Sequence, residues 1–308
     1  MAKKDKTISF IERMEMDNFD PDWNIPFELP DLTGYKEIAV DLETRDPNLT
    51  TLGPGWARGD GNIVGIAVAA GDYSGYFPIR HQNGHNLDPK VTLRWFKKQM
   101  ATPRIDKIMH NATYDAGWLY AEGIEVQGRI IDTMVAAPLI DENRFSYSLN
   151  NLGRDWIDMR KNEKMLRAAA KDFGFDPKSE MWRLPPMYVG AYAEQDAIMT
   201  LKLWHRLKIE ISEQDLGAIF DLETGLIPLM LEMRKKGVRV DLDKADQART
   251  ALRKQVKTLK GFIDYKSGVK IEPWAAESVK KVFEALDLSY PRTEAGAPSF
   301  TKQYLSSH

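Results

Sequence analysis

Hydrophobic and polar residues change period along the chain, and each change marks an element. Ile38, Val40 and Leu42 alternate with Glu37, Ala39, Asp41 and Glu43, the two-residue period of a half-buried strand. Asn62 to Ala70 is continuous and apolar enough for a mid-sheet strand, and Gly71-Asp72 turns it into a third, Tyr73 to Ile79. Strands joined by hairpins run antiparallel. The period then shifts: Val91, Leu93, Trp95, Phe96 and Met100 follow Asp88-Pro89, which reads as a capped helix with proline at its first position. Ile105 to His110 predicts a strand, Ala112 to Ala121 a helix and Val126 to Ile131 a short strand. Three hairpin strands followed by strand–helix alternation imply an α/β fold, a mixed five-stranded sheet flanked by helices.

Beyond residue 132 the pattern is helical, over about 132–140, 146–157, 162–173, 187–212, 214–236, 243–266 and 275–287. Gly237-Val-Arg-Val-Asp241 reads as a turn and short strand before a long helix, and Arg234-Lys-Lys236 as a solvated helix end. Pro21, Pro26 and Pro30 block regular structure near the start, so residues 1–30 are expected to be an N-terminal arm. Gly53-Pro-Gly-Trp-Ala-Arg-Gly-Asp-Gly61 is rich in glycine, but no Lys-Ser/Thr and helix start follow. It reads as a long hairpin connection, not a phosphate cradle.

Composition narrows the chemistry. With 308 residues, 43% of them hydrophobic and 29% charged, the chain can bury a substantial core and resembles an ordinary globular protein. It has no cysteine, so disulfides and thiolate metal sites are excluded and a reducing cytoplasm is the expected compartment. No apolar run approaches the length of a membrane span. A net charge of −2 argues against coating nucleic acid by bulk positive charge, though not against a nucleic-acid enzyme whose clustered carboxylates lower the total.

Those carboxylates carry the candidate chemistry. Residues two apart on a strand point the same way, so Asp41 and Glu43 project together from a strand end, where a divalent cation most simply relieves their repulsion. A solvated polar face would show the same letters, and Asp221-Leu-Glu-Thr224 repeats Asp41-Leu-Glu-Thr44 inside an amphipathic helical stretch. Asn111-Ala-Thr-Tyr-Asp115 stands where a buried strand gives way to a helix, placing Asp115 at the carboxyl edge of the sheet, either as a site residue or beside a capping Asn111. Tyr192-Ala-Glu-Gln-Asp196 puts Tyr192 and Asp196 one turn apart on a helix face, with Tyr188 a turn earlier. His81 and His85 flank Asn83-Gly84 and read as exposed loop histidines, and His110 as a packing residue.

Asp-x-Glu, Asn-x-x-Tyr-Asp and Tyr-x-x-x-Asp, in that order, resemble the motifs of the DEDD exonuclease superfamily, in its tyrosine-bearing branch. The sister branch uses a histidine five residues before the last aspartate, where this chain has Ala191. The resemblance implies an RNase H-like exonuclease fold and two divalent metal ions, Mg2+ or Mn2+, about 3.5–4 Å apart. It implies Asp41, Glu43, Asp115 and Asp196 as ligands, with Asp41 bridging, Glu43 and Asp196 completing the tighter site and Asp115 acting through water. Tyr192 would orient the attacking water, and Asp132 would be a supporting residue or a cap. Thr44, Leu49, Asn111 and Tyr114 fall near the positions that hold a single-stranded 3′ end, although Leu49 departs in register and Pro47 intervenes.

Leu222 to Asp241 is similar to the stretch leading from proofreading domain into polymerase in family A DNA polymerases. That implies an exonuclease domain over 31–215 and a helical, thumb-like start of a polymerase over 216–308. Fingers and palm would lie beyond His308, and the short arm suggests a phage-type enzyme acting in the host cytoplasm. Expected partners are a single-stranded or frayed DNA 3′ end and the remainder of a DNA polymerase or other replication proteins, with no membrane. An RNase D-like exoribonuclease and a non-catalytic module that binds DNA or a replication partner are the alternative readings.

Overall fold

The computed structural model describes residues 23–306; most of the expected N-terminal arm lies outside them. The described residues divide into two compact units, one ending at Gly237 and the other starting at Val238.

The first unit is built on five strands, β1 (Glu37–Arg45), β2 (Asn62–Ala70), β3 (Tyr73–Pro78), β4 (Asp106–Met109) and β5 (Ile130–Asp132), in the order β3-β2-β1-β4-β5. β1 pairs antiparallel with β2 and β2 with β3, whereas β1–β4 and β4–β5 are parallel. This is the mixed five-stranded sheet expected from the hairpin and crossover pattern. The link from β1 to β2 holds one short turn, α1 (Leu49–Leu52), and a 3-10 turn at Trp56–Arg58. Helices α2 (Pro89–Met100), α3 (Ala112–Ala121), α4 (Thr133–Ile140), α5 (Leu149–Ile157), α6 (Lys164–Phe173), α7 (Gly190–Glu213), α8 (Gly217–Gly225) and α9 (Ile227–Lys236) complete the unit.

Two apolar layers sandwich the sheet. Ile38, Val40, Leu42, Ile66, Val68 and Phe77 pack with Phe96 of α2, Ala116 and Leu119 of α3 and Ile227 of α9. On the opposite face Ala39, Ala67, Ala69, Tyr76 and Ile108 pack with residues of α4 to α8, α7 contributing most. β1 is therefore covered on both faces, and not half-buried as its alternation suggested. The small side chain of Ala39 looks polar-neutral in sequence but lets α7 approach the sheet.

Three element boundaries differ from expectation. The single helix over 214–236 is two helices, α8 and α9, because Pro228 in the first turn of α9 lacks an N–H and its ring excludes the carbonyl four residues back. Residues 126–129 lie outside the strand, although Arg129 O accepts from Lys107 N of β4, and β5 is only three residues long. Gly237–Asp241 forms no strand; Asp241 instead caps the next helix, its carboxylate accepting from Lys244 N.

The second unit consists of α10 (Leu242–Ser267), α11 (Ala276–Ala285) and α12 (Lys302–Ser306). α10 ends at Gly268 in the left-handed region, where glycine is favoured. Ile271, Val279 and Val282, with Ile263, Phe283 and Phe300, form its small core.

Candidate active site

The centre of the sheet sets the site. β1 is the middle strand, and its register against β2 slips between Glu43 and Thr44. That bulge leaves Val64 of β2 without a partner on β1 near the carboxyl end of β1, and pairing resumes with Thr44 opposite Ile63 and Arg45 opposite Asn62. Asp41 and Glu43 share the face that Ala39 presents to α7.

The parallel neighbour β4 runs into His110 and Asn111. Asn111 takes a left-handed φ of 71°, a conformation asparagine tolerates better than most residues. Its side chain does not cap the helix. The cap comes from Asp132 at the end of β5, whose carboxylate accepts from Asn111 N at 2.9 Å, Ala112 N at 2.7 Å and Met134 N at 2.8 Å. One aspartate thus starts two helices, α3 and α4, and fixes the turn that delivers Asp115. Asp115 is buried, and its Oδ1 accepts a hydrogen bond from Leu42 N, between the two acids of β1, at 3.0 Å.

The fourth carboxylate comes from α7. Each polar residue of Tyr192-Ala-Glu-Gln-Asp196 has its own partner. Glu194 accepts from Tyr76 N of edge strand β3 at 3.0 Å and from Trp23 Nε1 at 2.7 Å. Gln195 grips the link between α5 and α6, its Oε1 accepting from Asn162 N and its Nε2 donating to Arg160 O. Asp196 is buried, and the Lys161 ammonium bonds both its Oδ2 and the Tyr192 hydroxyl.

Asp41 and Glu43 both act on Asp115, and Asp196 acts on Asp41 and Glu43. Loss of solvent, then Asp196, pushes the Asp41 carboxyl up to about 7, with Lys161 opposing. Burial raises Glu43 well above the usual range, and Asp41 and Asp196 add to it. Asp115 is raised by burial and by Asp41, against the Leu42 hydrogen bond. Burial raises Asp196 too, opposed chiefly by Lys161. The Tyr192 phenol is pushed up by burial and by the surrounding acids, so it stays neutral at ordinary pH.

Thr44 and Tyr114 also meet, Oγ1 to hydroxyl at 2.7 Å, and the Tyr114 hydroxyl reaches Asp46 Oδ2 at 3.3 Å. Burial lifts Tyr114 to about 12. Leu49 starts α1 and is 41% exposed, and Asn111 is exposed as well. His110 bonds Thr133 Oγ1 through Nδ1 and is held near 4 by burial.

Sequence reasoning missed two features. Lys161 places its ammonium 2.5 Å from Asp196 Oδ2 and 3.4 Å from the Tyr192 hydroxyl. His81, read as exposed, is buried: Nε2 lies 2.6 Å from the Tyr76 hydroxyl and Nδ1 2.8 Å from Leu184 O. The segment around Trp182–Leu184 covers it, bonding Gln82 and Asn83, a long-range closure that Asn83-Gly84 does not announce. His85 remains exposed.

The donor set suits a hard divalent cation. Four carboxylates without sulfur or imidazole match Mg2+ or Mn2+, and Asp196 Oδ1 is buried with no hydrogen-bond partner, an acceptor left for a ligand. Among the described residues no three such side chains already stand in a metal-holding arrangement; the Lys161 ammonium occupies one Asp196 oxygen.

A family model described as 3′–5′ exonuclease, of the DNA polymerase A type, matches residues 29–212. The chain is 36% identical to a DNA-directed DNA polymerase of Pseudomonas phage M6, over 97% of this chain and 46% of that protein. It is 29% identical to the DNA polymerase DpoZ of Salmonella phage PMBT28, over 88% of this chain and 43% of that one. The chain thus spans less than half the length of these curated relatives. Among solved structures, the POL domain of Pol1 from M. smegmatis, in complex with DNA primer-template and dNTP, matches with a TM-score of 0.66 and 16% identity, covering 92% of this chain and 45% of that one. Brucella melitensis NrnC matches with a TM-score of 0.51 and 16% identity, covering 70% and 92%. At such identities these two likenesses concern the fold, which is that of RNase H-like exonucleases.

Proposed function

This chain belongs to the 3′–5′ exonuclease family of A-type DNA polymerases, and from that membership we propose that it removes nucleoside 5′-monophosphates from the 3′ end of single-stranded or frayed DNA, using two divalent ions. The reading is supported by the hydrogen bond that Asp115 Oδ1 accepts from Leu42 N, between Asp41 and Glu43, and by the influence of Asp196 on both of those β1 carboxylates.

In this reading the four carboxylates hold Mg2+ or Mn2+, and Asp196 Oδ1 is the acceptor reserved for an ion. When bound, such a pair of ions supplies neutralisation of the charge that gathers at the reacting phosphate. Tyr192, kept neutral and bonded to the same Lys161 ammonium as Asp196, orients the attacking water through its hydroxyl and does not take a proton. Thr44 and Tyr114, joined beside the end of β1, contact the 3′-terminal nucleotide, Tyr114 by stacking; Asn111 and Leu49 are further candidates. Within a longer polymerase this activity is proofreading in an infected cell, and the unit from Val238 onward leads to the polymerase proper.

The test is digestion of 5′-labelled single-stranded DNA and of RNA of the same sequence, with Mg2+, with Mn2+ and with EDTA, by the parent and by Asp41→Ala. Stepwise shortening of DNA that requires metal and Asp41 supports the proposal. Preference for RNA would make the chain an exoribonuclease. End binding without turnover in either metal would leave it a binding module.

A further inference from the structure

Lys161 is presented to the carboxylates by a dedicated backbone arrangement. It lies in the link between α5 and α6, and its own amide donates to Asn150 Oδ1 at 3.0 Å. The peptide groups on either side are held by one side chain: Asn162 N donates to Gln195 Oε1 at 2.7 Å, and Gln195 Nε2 donates to Arg160 O at 3.0 Å. Gln195 adjoins Asp196, so the helical turn that carries the acid also fixes the loop that carries the base. The Lys161 side chain is 19% exposed, and its ammonium lies 2.5 Å from Asp196 Oδ2 and 5.4 Å from the centre of the Tyr192 ring.

The charge arithmetic gives that placement a purpose. Asp196 Oδ2 is taken by the Lys161 ammonium, and Asp196 Oδ1 is buried with no hydrogen-bond partner, so this acid has one oxygen bound to a cation and one left over for a ligand. An ammonium is a compact point charge with oxygen-seeking geometry, and a divalent ion directed at Asp196 needs the same oxygens. We propose that Lys161 is a tethered stand-in for the divalent ion on the Asp196 side of the cluster: it holds the carboxylates together while the ion is absent and leaves Asp196 when the ion binds. This inference rests on the metal reading of the site. Metal uptake is then an exchange of cations, and the ammonium set free beside Tyr192 remains close to the reacting phosphate.

The readouts are Mn2+ affinity, from the free-ion electron paramagnetic resonance signal, and thermal melting with EDTA or Mn2+, on the full chain. Lys161→Met is expected to bind Mn2+ about one to two decades more tightly, the usual scale for one close like charge. Its melting temperature should fall in EDTA and recover in Mn2+, while Lys161→Arg stays close to the parent in both. A Lys161→Met protein that binds Mn2+ with parental or weaker affinity overturns the inference. If that variant fails to fold even with Mn2+, Gln195→Ala decides, since loosening the loop should tighten Mn2+ binding severalfold and an unchanged affinity overturns the inference equally. A parent whose Mn2+ uptake is absent, or survives Asp41→Ala, fails the metal reading and takes this inference with it. Normal parental uptake with unchanged variants fails the Lys161 inference alone.

Discussion

Asp115 Oδ1 accepts the Leu42 amide at 3.0 Å, so an acid of α3 reads the backbone of β1 midway between Asp41 and Glu43. The bond leaves Oδ2 as the free oxygen. Asp115→Asn keeps the acceptor while removing one of four repelling charges, so its metal-free melting temperature should equal or exceed the parent's. Its exonuclease rate should fall about a thousandfold, equivalent to several kcal/mol of lost charge stabilisation. Melting curves in EDTA beside a single-turnover assay in Mg2+ check both. Parental activity would remove Asp115 from the ligand set.

Asp132 supports three backbone donors, Asn111 N, Ala112 N and Met134 N. Replacing it by alanine strands Ala112 N in a buried setting and Asn111 N and Met134 N in partly buried ones, and buried unpaired donors cost about 1–3 kcal/mol each. Asp132→Ala should therefore lose about 3 kcal/mol in urea unfolding. Because the freed turn delivers Asp115, activity should fall as well. A variant with lowered stability and full activity would show that the turn does not position the acid.

Gly65 lies opposite Glu43 across the sheet, and a Cβ there would come within 2.1 Å of the Tyr76 hydroxyl. Tyr76 cannot swing away, since its ring is fully buried and its hydroxyl bonds His81. Gly65→Ala is expected to destabilise by about 3 kcal/mol, the upper part of the range for overpacking. Gly34→Ala, with open space at the Cβ, is the control and should be close to neutral.

Much of this was legible in the chain itself, for identifiable reasons. β1 to β3 were readable because hairpin turns and apolar runs are local signals, and the three acidic motifs because each sits within five residues on one element. Lys161 gave no such signal. It lies in the polar stretch Asp158–Glu163, which has no period, and the residue it meets is 35 positions away. His81 was misread for a related reason: local turn residues indicated exposure, while its cover comes from Leu184, 103 positions on. The break between α8 and α9 was readable in principle from Pro228, yet the apolar residues on both sides continue one stripe and mask it.

His81 yields a pH dependence whose sign is fixed. Burial holds the folded imidazole down at about 4, against about 6.5 for the unfolded chain. The short Tyr76 hydroxyl contact at Nε2 and the Leu184 carbonyl at Nδ1 specify a neutral ring that donates from Nδ1 and accepts at Nε2. Between these two values the unfolded state binds a proton that the folded state refuses. Stability from this group is therefore complete above about pH 6.5 and is lost on acidification towards pH 4, by at most about 3 kcal/mol. His81→Gln has no such proton to bind. It should be the less stable protein at pH 7.5, because it loses the fitted pair of hydrogen bonds, and the gap from the parent should narrow steadily down to pH 4.5. The active-site carboxylates and His110 titrate in both proteins, so the difference between two urea unfolding series isolates His81. A gap that stays constant across that range would mean that the ring is already solvated in the native state, and the covering role assigned to Trp182–Leu184 would fall with it.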